Sequence, residues 1–519
     1  GDWSSDVCSS DLTNSAGLSL NGYASGISVI NGFLGGSGGI TIGTGVSNAF
    51  LLVQNAGSLN LYGSALTIGS GAATGNVVTV LGGTLTNANT ITLGSTGSGF
   101  NLMTVTNAKV FSSGLVIGSG TSNNTVTVLP NATWNMRGGS IVLATTATSS
   151  NNVLLVNGGT ITNLVQDGSN RALEMNGVRS QIIITNGGRI AVGASGINIG
   201  PSFGAGVSSM WNVVTITGPG SILDCTVGNS SIVVGGGATS MFNWVSIENG
   251  GTLLVADRFW IGSGYGAVSN AVVVSGPGSY FRQNSLSGFD LAGGINNQFN
   301  TLTISNGGYF YNERFISIGS GGVGASNNAL NVGGVGLVST AYMGNGGVVV
   351  GAASSGYNTL TVTNGTLVTR NGSFASVIGG ASSNNTATIT TGGVWDFSAI
   401  NLLTIGAGAA TGNRLLVDNG TVTNLAGLAV TLGSGGAPTN FDNRVVIRNG
   451  GQWFGGAITV GTGGSTGNLY QVGGTGLPSA ASNAAIVVGA AASGLNQMLV
   501  TNATLLSGAA TVEIGRAHV

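Results

Sequence analysis

Short apolar–polar–apolar segments that end in an Asn-Gly-Gly turn recur along the chain. The clearest copy, residues 302–308, reads Leu-Thr-Ile-Ser-Asn-Gly-Gly, and close variants stand at residues 183–188, 245–251, 360–365 and 446–451. This alternation predicts a strand with one buried face, because successive strand side chains point to opposite sides. Asn and Gly tolerate the left-handed backbone of a tight turn, so each copy predicts a strand that ends at a corner.

A second phrase alternates with the first and sets the period of the repeat. It reads Leu-Thr-Ile-Gly-Ser-Gly at residues 66–71, and its Ile-Gly pair, or a Leu-Gly or Val-Gly variant, returns from Ile42-Gly43 to Val488-Gly489. The spacing is mostly about 24–28 residues, and allowing for degenerate copies gives about 17 coils. Such a period, built from short β-branched strands without a helical pattern, predicts a solenoid of strands.

An asparagine stands just ahead of nearly every Val-Thr-Val-type strand, in a row that runs from Asn48 to Asn496. Identical amides stacked at one corner can hydrogen-bond from coil to coil, as in other ladder structures. The plainer alternative is a turn residue with no such bond. The shared phase of the row favours a structural ladder. Its predicted members include Asn243, Asn270, Asn300, Asn328, Asn358, Asn385, Asn413 and Asn443.

Each coil therefore reads as a Val-Thr-Val strand, an Asn-Gly-Gly corner, a Thr-Leu strand, a loop, a Leu-Thr-Ile-Gly strand and a loop with the asparagine. One coil buries about six large apolar groups, roughly 12 kcal/mol at about 2 kcal/mol each. Ordering its residues costs more, at about 1–2 kcal/mol per residue, so coils must stack on neighbours. Parallel connections are nearly always right-handed. We therefore expect an all-β, right-handed parallel β-helix (β-solenoid) of about 17 coils of about 24–28 residues.

The two ends of the chain are expected to lie outside the repeat. Residues 6–12 can be encoded by a DNA string whose reverse complement encodes residues 513–519, and both segments resemble translated sequencing-library adapter. We therefore expect residues 1–12 and 513–519 to be adapter-like artefacts, which are set aside in reasoning about the fold.

Residues 13–512 carry the repeat without a linker or a shift in composition, which predicts a single β-helix repeat domain. The pattern departs from the repeat near residues 163–181, 201–211 and 281–300, where we expect longer loops.

Composition narrows the classes of function. Apolar residues make up 42% of the chain and charged residues 5%, the reverse of a disordered protein. No run of 18 apolar residues occurs, so no transmembrane helix is expected. Without its two ends the chain is near neutral, and nothing basic enough for nucleic acid remains. Neither a Cys-x-x-Cys motif nor a pair of His residues occurs, so no metal or other cofactor is expected.

Carboxylates are the remaining route to catalysis, because the lone His518 lies in an adapter-like end and Ser–His chemistry is therefore excluded. Parallel β-helices include polysaccharide lyases and hydrolases that use carboxylates with Arg or Lys. The acidic residues of this chain never form the tight Asp-Asp pair typical of β-helical glycosidases, although two can still meet between coils. No catalytic residue is assigned, and the chain is not expected to be an enzyme.

Arginine, acidic and aromatic residues gather in three consecutive repeats, just after the second strand of each. Stacking is expected to bring Arg258, Arg282 and Arg314 close together on one face, with Asp257 and Glu313 beside them. Arg together with aromatic rings suits glycans or anionic ligands, which makes these five residues a candidate ligand-binding site. The alternative is a surface ion-pair row that contributes little.

Two tryptophans stand where other repeats have core residues. Trp395 and Trp453 occupy the position of Leu253 or Ile190 in other repeats. We therefore expect both in the core rather than as platforms for a ligand.

The alternation of Val-Thr-Val-x-Asn-Gly-Gly-Thr-Leu copies, as near residues 360–367, with Leu-Thr-Ile-Gly-Ser-Gly copies resembles large bacterial autotransporter-like or adhesin-type repeat proteins. The resemblance covers about residues 13–512. It implies a non-enzymatic structural or adhesive rod, surface-displayed or secreted, at the bacterial outer membrane. Its outward Thr, Ser and Asn residues would contact glycans or neighbouring cell-surface proteins.

Two other classes stay open beside the rod. One is a polysaccharide lyase or glycoside hydrolase of the β-helix type, and the other is a repetitive spacer without a ligand. Two carboxylates within hydrolytic distance in one groove would favour the enzyme, whereas scattered acids would favour the rod.

Overall fold

The computed structural model describes residues 12–165, 171–200, 209–238, 240–285, 287–352, 354–370, 374–398, 402–435, 439–490 and 493–512. The chain divides into two compact units, Gly1–Ala256 and Asp257–Val519, and each is a stack of parallel strands. The adapter-like ends lie outside the described residues, apart from Leu12.

Strands occupy three positions along each coil, which we call faces 1, 2 and 3. Face 1 holds the Val-Thr-Val-type strands, and face 2 holds the strands that follow the Asn-Gly-Gly corner. Face 3 holds the Leu-Thr-Ile-Gly strands. Strands at the same position of successive coils pair in parallel, and some long strands run through both face 2 and face 3.

In the first unit, face 1 consists of Gly26–Ile30, Phe50–Gln54, Val77–Leu81, Leu102–Thr106, Thr125–Val128, Val153–Asn157, Gln181–Thr185, Val213–Thr217 and Trp244–Glu248. Face 2 consists of Leu12–Asn14, Phe33–Gly36, Ser58–Asn60, Thr133–Asn135, Thr160–Leu164, Arg189–Val192, Ile222–Cys225 and Thr252–Val255. Face 3 consists of Leu18–Leu20, Ile40–Thr44, Leu66–Ser70, Ser140–Leu143, Leu173–Met175, Ile197–Ile199 and Ile232–Val234. Thr84–Ser95 and Lys109–Ser119 run through faces 2 and 3.

In the second unit, face 1 consists of Ala271–Ser275, Thr301–Ser305, Ala329–Gly333, Thr359–Thr363, Thr386–Thr390, Arg414–Asp418, Arg444–Arg448, Leu469–Gly473 and Gln497–Thr501. Face 2 consists of Tyr280–Gln283, Tyr309–Asn312, Ser339–Met343, Gly365–Thr369, Val394–Asp396, Ser479–Asn483 and Ala503–Ser507. Face 3 consists of Phe259–Ile261, Phe289–Leu291, Ile316–Ile318, Val348–Val350, Ser376–Gly380, Leu403–Ala407, Ala485–Val488 and Ala510–Val512. Thr421–Ser434 and Gln452–Thr462 run through faces 2 and 3.

The pairing register keeps apolar residues above one another. On face 1, Leu302, Leu330 and Leu360 stand in one row, and all three are buried. The residues that follow these leucines, Thr303, Asn331 and Thr361, point outward, because side chains alternate along a strand. These observations confirm an all-β parallel β-solenoid of about 17 turns. The right-handed path of the coils stays a prediction.

The described residues form strands, turns and loops but no helix, and so they include no helix that is long and apolar enough to cross a membrane.

Aromatic rings fill part of the interior of the second unit. Phe259 packs against Phe281 and Phe289, with ring centroids 4.9 Å and 5.1 Å away, and Phe310 continues the cluster at 5.0 Å from Phe281. Such ring pairs stabilise a core beyond the area they bury.

Both tryptophans expected in the core lie there. Trp395 and Trp453 are fully buried, which confirms the sequence-based expectation. The indole Nε1 of Trp453 donates to Oδ1 of Asn483 at 3.1 Å, so the one polar atom of this side chain is satisfied.

A ladder of asparagines runs along the corner before face 1. In Asn358, both the backbone N and Nδ2 donate to Oδ1 of Asn385, at 3.0 Å and 3.1 Å. The same pair of bonds links Asn270, Asn300, Asn328, Asn358, Asn385, Asn413, Asn443, Asn468 and Asn496 in the second unit. In the first unit it links Asn76, Asn101, Asn124 and Asn152, and also Asn212 and Asn243. The side chains expected to form a ladder are therefore hydrogen-bonded from coil to coil.

Two coils differ from the expected row. Asn48 lies one residue before the ladder position, which Ala49 fills, and the backbone N of Ala49 donates to Oδ1 of Asn76 at 3.0 Å. Asn48 is instead the left-handed corner residue, with φ of 61°. Sequence reasoning misplaced it because Asn suits both positions. In another coil the ladder residue is Ser180, whose Oγ is buried without a hydrogen-bond partner among the described residues.

The expected single domain over residues 13–512 stays a prediction. Of the longer loops, residues 166–170 and 201–208 lie outside the described residues. Within 281–300 the chain finishes one strand and forms another, Phe289–Leu291. The ladder residues are 23 apart from Asn101 to Asn124 and 31 apart from Asn212 to Asn243. Because the strands stay in register, the loops take up this difference.

Candidate ligand-binding surface

Face 2 of the second unit carries arginine and tyrosine side chains on its outer side. In the strand Tyr280–Gln283 the ring of Phe281 points inward and is fully buried, so its neighbours Tyr280 and Arg282 point outward. The next strand, Tyr309–Asn312, pairs with it in register and repeats the arrangement. Strand alternation thus separates a Phe core from a polar aromatic surface.

Four of these side chains form a continuous stack, which we call the Arg–Tyr row. Arg282, Tyr311 and Tyr342 stand at one register position of three successive coils, and Arg370 adds the far end. The Cζ of Arg282 lies 5.7 Å from the ring centroid of Tyr311, and the Cζ of Arg370 lies 5.1 Å from that of Tyr342. The two tyrosine rings are stacked, with centroids 5.3 Å apart and planes 11° apart. The row therefore has a cation at each end of an aromatic pair.

Tyr280 and Tyr309 form a second aromatic pair beside the row. Their ring centroids are 5.6 Å apart, and Tyr309 is 37% exposed. Burial raises the pKa of the Tyr309 hydroxyl, and the neighbouring tyrosines add to this shift. Tyr309 is therefore neutral at physiological pH and keeps a hydroxyl that donates and accepts hydrogen bonds.

Glu313 contacts the row through its carboxylate. The hydroxyl of Tyr311 donates to Oε2 of Glu313 at 2.5 Å. Burial together with this bond raises the pKa of Tyr311 to about 12, although Arg282 opposes the shift. The carboxylate thus orients the Tyr311 ring and holds its hydroxyl in the protonated state.

Arg314 lies at the corner between faces 2 and 3, where it contacts a different pair of rings. Its Cζ is 5.5 Å from the ring centroid of Phe315 and 4.4 Å from that of Phe374. The two rings lie 4.6 Å apart. Gly346 stands between them along the stack, and a Cβ there would lie 3.0 Å from the Cβ of Phe315.

Arg258 and Asp257 lie near the start of face 3. The Cζ of Arg258 is 5.6 Å from the ring centroid of Trp260, an outward side chain of the strand Phe259–Ile261. Oδ1 of Asp257 accepts hydrogen bonds from the hydroxyls of Ser285 and Ser287, at 3.1 Å and 3.0 Å. Asp257 thus binds the corner of the following coil.

The structure distributes the five predicted site residues over two faces and the corner between them. Each arginine lies over a ring of its own: Arg258 over Trp260, Arg282 over Tyr311, and Arg314 over Phe315 and Phe374. Arg282 and Glu313 both contact Tyr311, so these two belong to one surface. Whether the five residues bind a ligand stays a prediction.

Sequence reasoning missed the half of the row formed by Tyr342 and Arg370. Counting from the ladder asparagines does not reveal this half of the row, because Tyr342 lies 14 residues after Asn328, whereas Tyr311 lies 11 residues after Asn300. The strand around Tyr342, Ser-Thr-Ala-Tyr-Met, also lacks the Phe that marks the strands of the two earlier coils.

Exposed aromatic residues also occupy the corner that precedes face 1. The residue before each ladder position has a left-handed backbone, and Asn or Gly often fills it, as at Asn123 (φ 61°) and Gly75 (φ 70°). Five coils have an aromatic residue there instead, which we call the corner aromatics: Phe100, Trp211 and Phe242 in the first unit, and Phe299 and Tyr357 in the second. All are exposed, and Trp211 and Phe242 are stacked with centroids 4.2 Å apart. Neither core packing nor backbone geometry favours an aromatic side chain at this position.

The carboxylates that the structure describes are bonded to separate partners. Asp224, Asp418 and Asp442 form ion pairs with Arg189, Arg448 and Arg444. Glu248, Asp290, Asp396 and Glu174 accept hydrogen bonds from Ser246, Ser320, Asn424 and Asn176. Asp167 lies outside the described residues. Among the described side chains no three His, Cys, Asp or Glu residues are grouped so as to hold a metal ion.

No protein-family model matches the chain, and no curated protein matches it. Among solved structures, the chain is similar to the crystal structure of a TibC-catalysed, hyper-glycosylated fragment of TibA that spans its residues 55–350. The sequence identity is 12% and the TM-score 0.28, over 79% of this chain and 99% of that chain.

Proposed function

We propose that this protein is a non-enzymatic structural or adhesive β-solenoid that binds glycans through face 2 of its second unit. The observation that carries the proposal is the Arg–Tyr row, in which Arg282 and Arg370 flank the stacked rings of Tyr311 and Tyr342. Arg282, Tyr311 and Tyr342 stand on regular strands, so the geometry of these three side chains is preorganised for a ligand.

The chemistry of the row suits a sugar polymer. Tyrosine offers an apolar ring face and a hydroxyl, and the arginine forks donate several hydrogen bonds in a plane. Such groups match sugars, which present C–H faces and hydroxyl or carboxylate groups side by side. Because the row is an open surface along successive coils, it fits an extended chain better than a single small molecule.

The carboxylates support a binding role over the alternative, a polysaccharide lyase or glycoside hydrolase of the β-helix type. Hydrolysis of glycosides uses two carboxyl groups that face one bond. Here the described carboxylates bind cations, hydroxyls or amides, such as Asp418 with Arg448 and Glu313 with Tyr311.

The proposal also places the protein at the bacterial cell surface, as an autotransporter-like passenger whose partners are glycans or neighbouring cell-surface proteins. Its support is the resemblance of the repeat to surface-displayed adhesins. Labelling of intact producing cells with an antibody against the solenoid tests this placement, and signal only after cell lysis would contradict it.

Binding of the full chain to immobilised neutral and acidic polysaccharides, followed by biolayer interferometry, tests the glycan proposal. For a polysaccharide that is retained, Arg282→Ala and Tyr342→Ala are each expected to weaken binding at least about fivefold, because each removes one member of the stack. The matched control is Phe454→Ala, which removes an exposed ring of face 2 outside the row.

Two outcomes would overturn the proposal: no retained polysaccharide in the panel, or equal loss of binding in the control and the row variants. Release of reducing ends or unsaturated sugars in the same samples would instead favour the enzyme.

A further inference from the structure

We propose that Arg414, Arg444 and Arg448, on face 1 of the second unit, form a binding site for an oxyanion, either a carboxylate or a sulfate group. The site lies on a different face from the Arg–Tyr row and does not depend on glycan binding there.

Strand pairing brings the three arginines together. The strands Arg414–Asp418 and Arg444–Arg448 are neighbours on face 1, with Arg414 opposite Arg444 and Asp418 opposite Arg448. Leu415, Val417 and their partners point inward, so all four charged side chains point outward. In a chain with 5% charged residues, this is a dense local group of charges.

Two of the arginines already hold carboxylates. Nε and Nη2 of Arg448 both donate to Oδ2 of Asp418, at 2.9 Å and 2.8 Å, and Asn449 donates to the other carboxylate oxygen at 2.7 Å. Arg444 holds Asp442 through Nε at 2.9 Å and Nη2 at 2.7 Å. The two carboxylates are therefore engaged by Arg444 and Arg448.

Arg414 has no comparable partner. Its Nε is buried and forms no hydrogen bond with any described residue. A buried donor without an acceptor is rare in folded proteins and points to a missing group. The group also carries a net positive charge, since three guanidinium groups face two carboxylates.

Electrostatics around Arg414 favour an anion. Burial lowers the pKa of its guanidinium, and the neighbouring charges of Arg448 and Arg444 lower it further, while Asp418 acts in the opposite direction. A bound oxyanion would relieve the repulsion between Arg414 and Arg444 and supply acceptors for the planar guanidinium fork.

The fold itself does not require an arginine at this position. Thr386 stands directly below Arg414 in the same row of face 1, and Thr359 stands below Thr386. The repeat therefore accepts threonine at this register, and Arg414→Thr is a variant that keeps the strand intact.

The test is a titration of the full chain, labelled with ¹⁵N-arginine, with sodium sulfate and separately with sodium acetate at constant ionic strength. The Nε–H signal of Arg414, identified by its loss in Arg414→Thr, is expected to shift in a saturable way with at least one anion. Thermal unfolding under the same conditions is expected to show a rise in Tm with that anion over chloride. Arg414→Thr should abolish the rise, whereas Arg189→Gln, an arginine paired with Asp224 in the other unit, should retain it.

The two arms separate the chemistry of the ligand. Saturation by acetate alone indicates a carboxylate site, and saturation by sulfate alone indicates a sulfate site. If neither anion shifts the Arg414 signal, or if Arg414→Thr keeps the same rise in Tm, the proposal is wrong. Because Arg414→Thr leaves face 2 unchanged, this variant should bind polysaccharide through the Arg–Tyr row as the unmodified protein does. Failure of the anion site is therefore distinguished from failure of the glycan site.

Discussion

The amide of Asn413 occupies the space beside Gly379, one coil earlier in the stack. A Cβ on Gly379 would lie 2.1 Å from Cγ of Asn413, and Gly379 has φ of 79°. The same relationship joins Gly43 to Asn76, Gly69 to Asn101, Gly94 to Asn124 and Gly118 to Asn152, and in the second unit Gly319 to Asn358, Gly351 to Asn385, Gly406 to Asn443, Gly433 to Asn468 and Gly461 to Asn496. The Ile-Gly phrase and the asparagine row are therefore two halves of one packing feature.

This relationship predicts that Gly379→Ala destabilises the protein by about 3 kcal/mol. The added methyl group would collide with a fully buried, hydrogen-bonded amide, and overpacking of this kind costs about 1–3 kcal/mol on top of the left-handed backbone. Unfolding in guanidinium chloride, followed by circular dichroism, measures the loss.

Gly392→Ala is the matched control. Gly392 also has a left-handed backbone, with φ of 72°, but nothing lies within 4 Å of an added Cβ. Gly392→Ala is expected to lower the free energy of unfolding by about 1 kcal/mol, which is the cost of placing alanine in the left-handed conformation without a collision. Alanine stands at the position of Gly379 in the coil of Ala292, with φ of 64°, so this left-handed conformation is accessible to alanine. Equal losses in the two variants would show that the contact with Asn413 does not matter.

Removing one rung of the ladder is expected to cost about 3 kcal/mol. In Asn385→Ala the backbone N of Asn358 loses the side-chain oxygen that accepts its hydrogen bond, and the buried corner gains a cavity. An unsatisfied buried donor costs about 1–3 kcal/mol, and the lost packing adds to it.

The neighbouring residue provides the comparison for this rung. Asn384 is exposed, has φ of 57° and precedes the ladder position. Asn384→Gly should change the free energy of unfolding by less than about 0.5 kcal/mol, because glycine adopts this backbone easily. The ladder interpretation fails if the two variants prove equally stable.

Replacing a corner aromatic by asparagine is expected to stabilise the protein. Phe100 is 65% exposed with φ of 58°, so its side chain adds strain with little burial. Phe100→Asn should raise the free energy of unfolding by about 1 kcal/mol, the difference between an aromatic and an asparagine in the left-handed region.

The reverse exchange tests the same cause in another coil. Asn123 occupies the equivalent corner with φ of 61°. Asn123→Phe should lower the free energy of unfolding by about 1 kcal/mol. A gain of stability on placing phenylalanine there would mean that ring contacts outweigh the strain.

Asp290 is expected to make the protein less stable at neutral than at acidic pH. Burial raises the pKa of its carboxyl, although hydrogen bonds from Ser320 and Trp260 and the charge of Arg258 oppose the shift. Above the folded pKa the charged form is disfavoured in the fold, and below the unfolded pKa of about 4 the penalty vanishes. Asp290→Asn should therefore raise Tm at pH 7, with a difference that disappears under acid.

Asp224 should show the opposite sign. Burial alone would raise its pKa, but hydrogen bonds from Thr226 and Arg189 outweigh burial and lower it. Its stabilising effect is present at neutral pH and is lost as the pH falls below about 4. Asp224→Asn should lower Tm at pH 7, and calorimetry of both variants at two pH values checks the pair. Shifts of the same sign would contradict the assignment.

The sequence predicted part of the candidate surface and missed its geometry. Arg282 and the aromatic strands could be found because they break a repeat that is otherwise Thr-rich. The stack of Tyr311 on Tyr342 could not be predicted. It depends on the pairing register between neighbouring coils, which places Tyr311 opposite a residue 31 positions later in the chain. Because the loops differ in length from coil to coil, the spacing of residues in the sequence does not predict which of them pair. For the same reason, the sequence did not predict that Arg258 lies near face 3 rather than on face 2.

The period, the strand positions and the inward residues of this protein follow from its sequence alone, since side chains alternate along every strand and each coil needs a neighbour to cover it. Which side chains meet between coils was decided only by the tertiary structure. Asn413 beside Gly379, Arg282 over Tyr311 and Arg414 opposite Arg444 are contacts between residues far apart in the chain. They arise because ladder hydrogen bonds hold the strands in register while the loops absorb the differences in length.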